Sequence, residues 1–312
     1  MFAGVALRGA VVAAALLAAF AGCGGSASHS ASSPSTGPFA YDASTPLRFV
    51  DRGRVNRNYP VAVDDVSYTS GRDRVSAFLV HAPGAKGRRP AVIYLHGAGG
   101  DRQELLVPST WVAARGGVAL TITAPSSVLP SPTGQGAAFV RWQGDTQRRD
   151  VVAVRRAIDL LSQRKDVDSK HIGFVGWSSG SHTGGILAGV EPRLQAIVLM
   201  SGGVAPVSEA LAVAPAALRG PIRRYLAPVD PLRYLPHARA SSLFLQDGRR
   251  DLTVPHAALL TFANAAPSGT RLRWYDAGHG LNSRAYRDQI EWLADRLRLD
   301  GPNVPGAATG PP

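Results

Sequence analysis

The sequence contains little cysteine and fewer acidic than basic side chains. The first shortage excludes internal disulfides and metal-binding cysteine clusters, and the second predicts a basic protein. The 312 residues include one cysteine, Cys23, so the chain can form no internal disulfide and no cysteine cluster can hold a structural metal. Lysine and arginine number 34 against 22 aspartate and glutamate residues, a formal net charge of +12. The arginines are scattered and match no nucleic-acid-binding module, so we expect a solvated basic surface and no nucleic-acid partner.

A long apolar run is also missing. Gly9–Gly22 is apolar but too short to span a bilayer, and Arg8 is the only charged side chain before Cys23. Residues 1–22 are therefore typical of a signal peptide. The small residues before Cys23 are similar to a bacterial lipobox, in which the cysteine is acylated, and Ala19-Phe20-Ala21 offers an alternative A-x-A cleavage site. We expect a protein anchored by lipid to the extracytoplasmic face of the cell membrane or, with the alternative cleavage, a secreted protein.

The remaining chain divides by composition into three parts. Residues 23–45 are rich in serine, glycine, alanine and proline and predict a flexible tether after the lipid-attachment cysteine. Residues 301–312 are similar and predict a disordered tail. Between them, residues 46–300 alternate apolar runs of strand length with longer segments of helical length and show no repeat. This middle part predicts one globular domain.

Short apolar runs rich in β-branched residues predict eight strands. Two of them, Val61–Tyr68 and Val75–His81, predict antiparallel edge strands. The parallel strands are predicted at Pro90–Leu95, Ala119–Thr123, Ile172–Val175, Ala196–Met200, Leu243–Gln246 and Leu272–Tyr275. Helices are predicted near Gln103–Ala114, Asp150–Gln163, Ser179–Leu187, Pro255–Ala265 and Tyr286–Arg298. This alternation predicts an α/β fold with a doubly wound, mostly parallel eight-stranded sheet that binds ligands at the carboxyl ends of its strands.

Two predicted connections are longer than such a sheet requires. Pro125–Gly144 and residues 202–240 both follow strands at the carboxyl edge, so we expect them to shape the substrate pocket. The second is a cap-like insertion that mixes arginines with apolar residues, namely Leu211, Val213, Leu218, Ile222, Tyr225 and Leu226. Its pattern is compatible with an amphipathic lid and equally with a plain surface helix.

The run Gly176-Trp177-Ser178-Ser179-Gly180 lies between a predicted strand and a predicted helix. A G-x-S-x-G at this junction is typical of a nucleophile elbow, in which glycines allow a sharp turn that exposes the central hydroxyl, here that of Ser178. The predicted strand Pro90–Leu95 runs into His96-Gly97-Ala98-Gly99-Gly100. Backbone N–H groups of such a glycine-rich turn can receive the negative oxygen of a tetrahedral intermediate.

An acidic residue and a histidine follow the last two predicted strands. Asp247 and Asp251 come after one strand, and His279 lies in a glycine-flanked loop after the other. The order serine, aspartate, histidine, each past a strand, indicates a catalytic triad with His279 as the base. The spacing to Val254-Pro255 favours Asp251 over Asp247 as the residue that orients His279.

The other polar and aromatic residues near these motifs have less specific expected roles. We expect structural roles for His96, His171, His182 and His256 and a helix-start position for Asp150. We expect Trp177 to point away from Ser178 and pack in the core, and Trp142, on the first long loop, to be a candidate for lining the pocket.

From Val61 to Leu299 these motifs resemble the α/β-hydrolase superfamily. The chain is most similar to dienelactone-hydrolase-like esterases and to the catalytic domains of prolyl-oligopeptidase-like peptidases, although Ser178 stands where dienelactone hydrolases proper have cysteine. The resemblance implies the α/β-hydrolase fold with a cap, no cofactor and no metal. It also implies that the oxyanion hole consists of the backbone N–H groups of Ser179 and Ala98, with Gly99 as the alternative to Ala98.

We therefore expect a serine hydrolase that cleaves carboxylic esters of small molecules, with short acyl groups preferred, through an acyl-enzyme. One alternative is a small cell-surface serine peptidase of the prolyl-oligopeptidase kind, without the propeller domain of those enzymes. Another is a non-catalytic, lipid-tethered binding protein that keeps the fold. The sequence makes no prediction of the oligomeric state.

Overall fold

The computed structural model describes residues 37–55, 59–204, 206–299 and 304–311. The predicted signal peptide, Cys23 and most of the predicted tether lie outside these ranges. Within the described ranges, no helix combines the length and the apolar character that a membrane span requires.

One sheet of nine strands forms the centre of the domain. The strands are β1 (Val50–Arg54), β2 (Ala62–Ser70), β3 (Asp73–His81), β4 (Arg89–Leu95), β5 (Val118–Ile122), β6 (Val167–Trp177), β7 (Leu194–Met200), β8 (Leu243–Gly248) and β9 (Arg271–Tyr275). Their order is β1-β2-β3-β5-β4-β6-β7-β8-β9. Pairing is antiparallel from β1 to β5 along this order and parallel from β5 to β9.

The predicted doubly wound, mostly parallel sheet is confirmed, but the predicted number of eight strands is wrong by one. The additional strand, β1, lies at the sheet edge, and all five of its residues are exposed. Because β1 has no buried face, it has none of the apolar alternation from which the other strands are predicted.

The central strands are apolar on both faces because helices cover both sides of the sheet. In β4, Ala91, Ile93 and Leu95 belong to one core cluster, while Val92 and Tyr94 belong to the cluster on the opposite face. Helices α3 and α4 pack on the first face and α1 and α8 on the second. The helices are α1 (Leu106–Ala114), α2 (Pro125–Val128), α3 (Ala137–Gln163), α4 (Ser179–Val190), α5 (Val207–Val213), α6 (Ala216–Pro221), α7 (His256–Ala265) and α8 (Ser283–Leu297).

The first predicted long connection is largely helical. Pro125–Gly144 contains α2 and the start of α3, which begins at Ala137 rather than at Asp150. Gly144 lies inside α3, where a Cβ atom would clash with the backbone carbonyl of Tyr225 in the insertion. Glycine is unfavourable inside a helix, but at this position its missing side chain lets α3 and the insertion approach closely.

The insertion consists of α5 and α6 followed by single π and 3₁₀ turns that end at Ser242. Its apolar side packs on Val140 of α3 and includes Ala214, Ile222, Leu211, Leu218, Tyr225 and Leu226. Val213 is the exception, since 85% of its surface is exposed. Apart from Val213, the mixed sequence of the insertion forms an amphipathic layer above α3.

The amino-terminal boundary of the folded domain differs from the prediction. Phe39, placed in the predicted tether, is buried, and its ring packs edge-on against Tyr234 at a centroid distance of 5.3 Å. Arg155 donates to the carbonyl of Phe39 at 2.8 Å and Arg156 to that of Ala43 at 3.2 Å. The predicted tether boundary at residue 45 is therefore wrong. Composition does not reveal that a single aromatic side chain is buried or that distant arginines bind the carbonyls of this segment.

The carboxyl-terminal residues 304–311 pack on the domain. Val304 donates its N–H to the carbonyl of Ala114 at 3.2 Å, and Arg115 donates to the carbonyl of Thr309 at 2.8 Å. Val304 and Ala307 also contact the core cluster on the α1 and α8 side. The prediction of a disordered tail is therefore wrong for these residues, whose partners lie almost two hundred positions away in sequence.

Candidate active site

Ser178 occupies a sharp turn between β6 and α4. Its backbone has φ 55° and ψ −117°, a conformation that a residue with a side chain rarely adopts, and its N–H donates to the carbonyl of Met200 at 2.8 Å. A Cβ atom at Gly176 would clash with the carbonyl of Gly180, and one at Gly180 would clash with that of Leu95. Both glycines are therefore required by close backbone approach, and the turn has the geometry of a nucleophile elbow.

Ser178, His279 and Asp251 form a chain of hydrogen bonds. The Nε2 atom of His279 lies 3.0 Å from the Oγ of Ser178, and its Nδ1 lies 2.8 Å from the Oδ2 of Asp251. Because an ionised carboxylate can only accept, Nδ1 carries the proton and Nε2 presents its lone pair to the serine hydroxyl. In this arrangement His279 can take the hydroxyl proton of Ser178.

Asp251 is held in place by the backbone that follows it. Its Oδ1 atom accepts from the N–H groups of Thr253 at 2.8 Å and Val254 at 2.9 Å, which leaves Oδ2 for His279. The Asp251 side chain is almost completely buried. The bonds to two backbone amides fix the position of the carboxylate, so Asp251 can orient His279 and stabilise its protonated form.

Asp247, the other candidate carboxylate, lies at the end of β8 with 4% of its surface exposed, and the Nδ1 of His279 bonds to Asp251 instead. Burial, together with the smaller effect of the negative charge of nearby Asp251, raises the pKa of Asp247 to about 7. The structure therefore places Asp251, and not Asp247, against the histidine.

The glycine-rich turn after β4 lies beside the elbow. The N–H of Gly97 donates to the Oε2 of Glu104 at 3.0 Å, and that of Gly100 donates to the carbonyl of Gly97 at 3.1 Å. Ser179 is the first residue of α4, where an amide has no acceptor within the helix, and no hydrogen bond from the amide of Ala98 occurs among the described residues. These two amides are therefore available to a ligand. Glu104 shapes the turn, but no sequence signal distinguishes it from an ordinary surface acid.

His96 anchors the same turn from the opposite side. Its Nε2 accepts from the N–H of Ala124 at 2.9 Å, and its Nδ1 lies 2.7 Å from the carbonyl of Gly97. Burial lowers the pKa of His96 from its ordinary value, which keeps the ring neutral. His96 therefore links the turn to the strand end at β5 and does not contact Ser178 or Asp251.

Trp177 does not pack away from the site as expected. Its Nε1 donates to the backbone carbonyl of His279 at 2.9 Å, and the two rings are tilted with centroids 5.2 Å apart. Ser201 donates from its Oγ to the same carbonyl at 2.9 Å. A Cβ atom at Gly97 would lie 3.1 Å from the Trp177 ring. The prediction that Trp177 packs against the core is confirmed, since it contacts the cluster on the α1 and α8 side. The prediction that it points away from the site is wrong, because Trp177 and Ser201 fix the histidine loop against the elbow and the glycine-rich turn.

Asp150 and Trp142 lie within a helix, whereas the sequence predicted a helix start for Asp150 and a loop for Trp142. Both belong to α3, so Trp142 is on a helix rather than a loop, with its ring stacked on Phe139 at 5.8 Å. Asp150 lies in the middle of α3, and its Oδ1 accepts from the N–H of Ser126 at 2.9 Å. Burial raises the pKa of Asp150 to about 7. The expected helix-start position of Asp150 is wrong because the helix continues for several turns before it.

The remaining histidines have partners outside the triad. His171 pairs with Asp168 through Nδ1 at 2.7 Å, His182 bonds the carbonyl of Gly203 through Nε2 at 3.1 Å, and the ring of His256 packs on Trp274. Within the described ranges, no three histidine, cysteine, aspartate or glutamate side chains come together as a metal site would require.

Comparisons with known proteins establish the fold. No family model matches the chain, and no curated protein does. Among solved structures, the acetyl xylan esterase from Paenibacillus sp. R4 superposes with a TM-score of 0.65 and 18% identity over 81% of this chain and 90% of that one. The S-formylglutathione hydrolase from Agrobacterium tumefaciens has a TM-score of 0.59 and 18% identity over 79% of this chain and 99% of that one. The glucuronoyl esterase from Solibacter usitatus has a TM-score of 0.57 and 11% identity over 81% and 86%. The protein therefore has the α/β-hydrolase fold.

Proposed function

We propose that the protein is a serine hydrolase that cleaves carboxylic esters through an acyl-enzyme on Ser178. The observation that carries the proposal is the hydrogen-bonded chain from Ser178 through His279 to Asp251, at the carboxyl edge of the sheet. The named activities of the solved structures with the same fold, which include several esterases, agree with it.

The proposed reaction uses each residue for one step. His279 takes the proton of Ser178 as the serine oxygen attacks the ester carbonyl, and Asp251 stabilises the resulting imidazolium. The amides of Ser179 and Ala98 receive the oxyanion. His279 then gives its proton to the departing alkoxide. In the second half of the reaction, His279 takes a proton from water as the water attacks the acyl-enzyme. His279 then returns the proton to the oxygen of Ser178, and the carboxylic acid is released.

A covalent probe tests the nucleophile directly. A fluorophosphonate should label the wild-type protein at Ser178, and Ser178→Ala should abolish both labelling and ester hydrolysis. Ser208→Ala, an exposed serine on α5, is the matched control and should label as the wild type does. If the folded wild-type protein is not labelled, it is a non-catalytic binding protein with this fold.

The preferred acyl group is proposed to be short, on the order of two to six carbons. In the described part of the insertion, apolar residues are turned towards α3 and pack together in a small cluster, so these side chains are not free to line a channel for a fatty chain. Specificity constants for a series of esters from acetate to long-chain acyl groups test this. A rise towards long chains would contradict it, and faster cleavage of a peptide amide would support the peptidase alternative.

The location of the enzyme is a separate proposal that rests on the sequence. Diacylation of Cys23, which lies outside the described residues, would hold the protein on the extracytoplasmic face of the membrane, since each buried CH₂ contributes about 0.8 kcal/mol. Mass spectrometry of the mature protein should find an acylated Cys23 at the amino terminus. An unmodified terminus at Gly22 would instead establish secretion after cleavage at the A-x-A site.

A further inference from the structure

A cavity of about 390 Å³ lies between α3, α4 and the insertion. Its polar lining consists of Gln143 and Gln147 from α3, His182 from α4 and Asp230 from the insertion. Aliphatic side chains, among them Val204 and Val229, complete the wall. Its size is that of a site for a small molecule.

The cavity is close to the proposed nucleophile. His182 follows Ser178 by four positions at the start of α4, which corresponds to about one helical turn, or about 6 Å along the helix axis. On the other side, Gly203 lines the cavity three residues after Met200, whose carbonyl accepts the N–H of Ser178. The cavity therefore lies beside the turn that carries Ser178.

His182 presents a hydrogen-bond acceptor to the cavity. Its Nε2 lies 3.1 Å from the carbonyl of Gly203, so Nε2 carries the proton and Nδ1 is left as the acceptor. Burial lowers the pKa of His182, which keeps the ring in this neutral form. Among the residues that the structure describes, nothing donates to Nδ1.

Two further acceptors lie in the same wall. Gln147 donates from Nε2 to the Oγ1 of Thr183 at 2.8 Å, and its amide oxygen receives no hydrogen bond from any residue that the structure describes. Asp230 accepts from the N–H of Leu232 at 2.9 Å and from that of Val207 at 3.4 Å, and its carboxylate has no ion-pair partner in the described part of the chain. The lining residues include no arginine or lysine, although the protein as a whole is basic. The cavity therefore favours a ligand that donates hydrogen bonds and disfavours an anion.

We infer that this cavity binds the hydroxyl-rich alcohol part of the substrate, a polyol or a sugar ring, while the ester group lies at Ser178. The inference rests on the proposed ester hydrolysis and specifies the substrate class. Hydroxyl groups can donate to His182, Gln147 and Asp230 and accept from the amide of Gln143. An alkyl chain in the same place would leave these acceptors without partners.

A matched pair of acetate esters tests the inference. A monoacetylated methyl glucoside and cyclohexyl acetate share the acetyl group and a six-membered ring and differ in their hydroxyl groups. We expect the wild-type kcat/KM to favour the glucoside by about tenfold or more, mainly through KM. Gln147→Leu and, independently, the exposed Gln143→Leu should each lower this ratio about three- to tenfold, the effect of one lost hydrogen bond. Gln163→Leu, the same change at the far end of α3, should leave the ratio unchanged.

Several outcomes would overturn the inference. These are equal kcat/KM for the two esters, a ratio that neither glutamine variant changes, and a preference for acetylcholine over both esters. Calorimetry of methyl glucoside with Ser178→Ala separates the two proposals. Binding of the glycoside without turnover by the wild type would refute ester hydrolysis but retain the cavity assignment. Turnover of cyclohexyl acetate without glycoside binding would refute the cavity assignment alone.

Discussion

The two walls of the candidate site are built differently. The triad wall consists of the loops after β6, β8 and β9, and backbone hydrogen bonds tie these loops to neighbouring strand ends. Ser178 bonds Met200 at 2.8 Å, Ser201 bonds Gln246 at 2.9 Å and Arg249 bonds Tyr275 at 2.8 Å. The opposite wall, residues 202–242, is made of short helices and turns, and no residue of α5 or α6 is buried.

From this difference we expect the two walls to have different roles. Groups that must keep their mutual distances to within a fraction of an ångström are attached to the sheet, while the groups that line the neighbouring cavity come partly from the insertion. We therefore expect changes in the triad wall to affect turnover, and changes on the outer surface of the insertion to have little effect.

The largest expected effect distinguishes the two carboxylates of the triad wall. Asp251→Asn should lower kcat by about 10³- to 10⁴-fold, because the amide cannot hold His279 in the required tautomer. Asp247→Asn should change kcat by less than about tenfold, because the hydrogen bond that orients His279 comes from Asp251 and stays intact. Steady-state kinetics on both folded variants measures the comparison, and similar losses in the two would contradict the assignment.

The next effect concerns the shape of the oxyanion turn. Glu104→Ala removes the acceptor of the Gly97 N–H and should lower kcat by roughly tenfold with little change in KM, because the turn would no longer be held beside Ser178. Glu209→Ala, in the first turn of α5, removes an acidic side chain from the insertion instead and should leave kcat unchanged. A rise in KM for Glu104→Ala with kcat unchanged would show that Glu104 does not shape the turn.

A stability effect should depend on pH. The pKa of Asp247 is about 7 in the folded protein and about 3.9 in an unfolded chain, so its ionisation opposes folding as pH rises between these values. The wild type should lose up to about 4 kcal/mol from this group between pH 4 and pH 8. Asp247→Asn mimics the protonated form and should raise the melting temperature by several degrees at pH 8.

Near pH 4 the Asp247→Asn substitution should have almost no effect on the melting temperature, since the wild-type carboxyl is then protonated in the folded state. Thermal unfolding of both proteins at the two pH values measures the difference. A pH-independent gain would show that packing, and not the charge of Asp247, is responsible.

The smallest effect is expected on the outer surface of the insertion. Val213→Ala at a position that is 85% exposed should change the free energy of unfolding by less than about 0.5 kcal/mol. Val198→Ala in the fully buried part of β7 makes the same chemical change and should cost about 1–3 kcal/mol. Denaturant titration of both variants gives the comparison, and a large loss for Val213→Ala would mean that the insertion contributes to global stability.

Much of the triad wall could be predicted from the sequence because its signals are local. The second half of β6 and the start of β8 are buried on both faces and therefore appear in the sequence as continuous apolar runs. The elbow requires glycine at Gly176 and Gly180 for steric reasons. Parallel strands bring their carboxyl ends to one edge. The order serine, aspartate, histidine along the chain therefore predicted that Ser178 and His279 meet beside an acid, and the spacing to Val254-Pro255 favoured Asp251 over Asp247.

What the tertiary structure decided depends on contacts between residues that are distant in sequence. The bonds of Trp177 and Ser201 to the carbonyl of His279, and the packing of Phe39 in the core, each join segments separated by many tens of residues. The edge strand β1 is exposed throughout and so has no hydrophobic pattern. Composition and periodicity report whether a residue is apolar and how apolar residues repeat, but they do not identify the distant group that satisfies a carbonyl or covers an aromatic ring, and only folding brings those groups together.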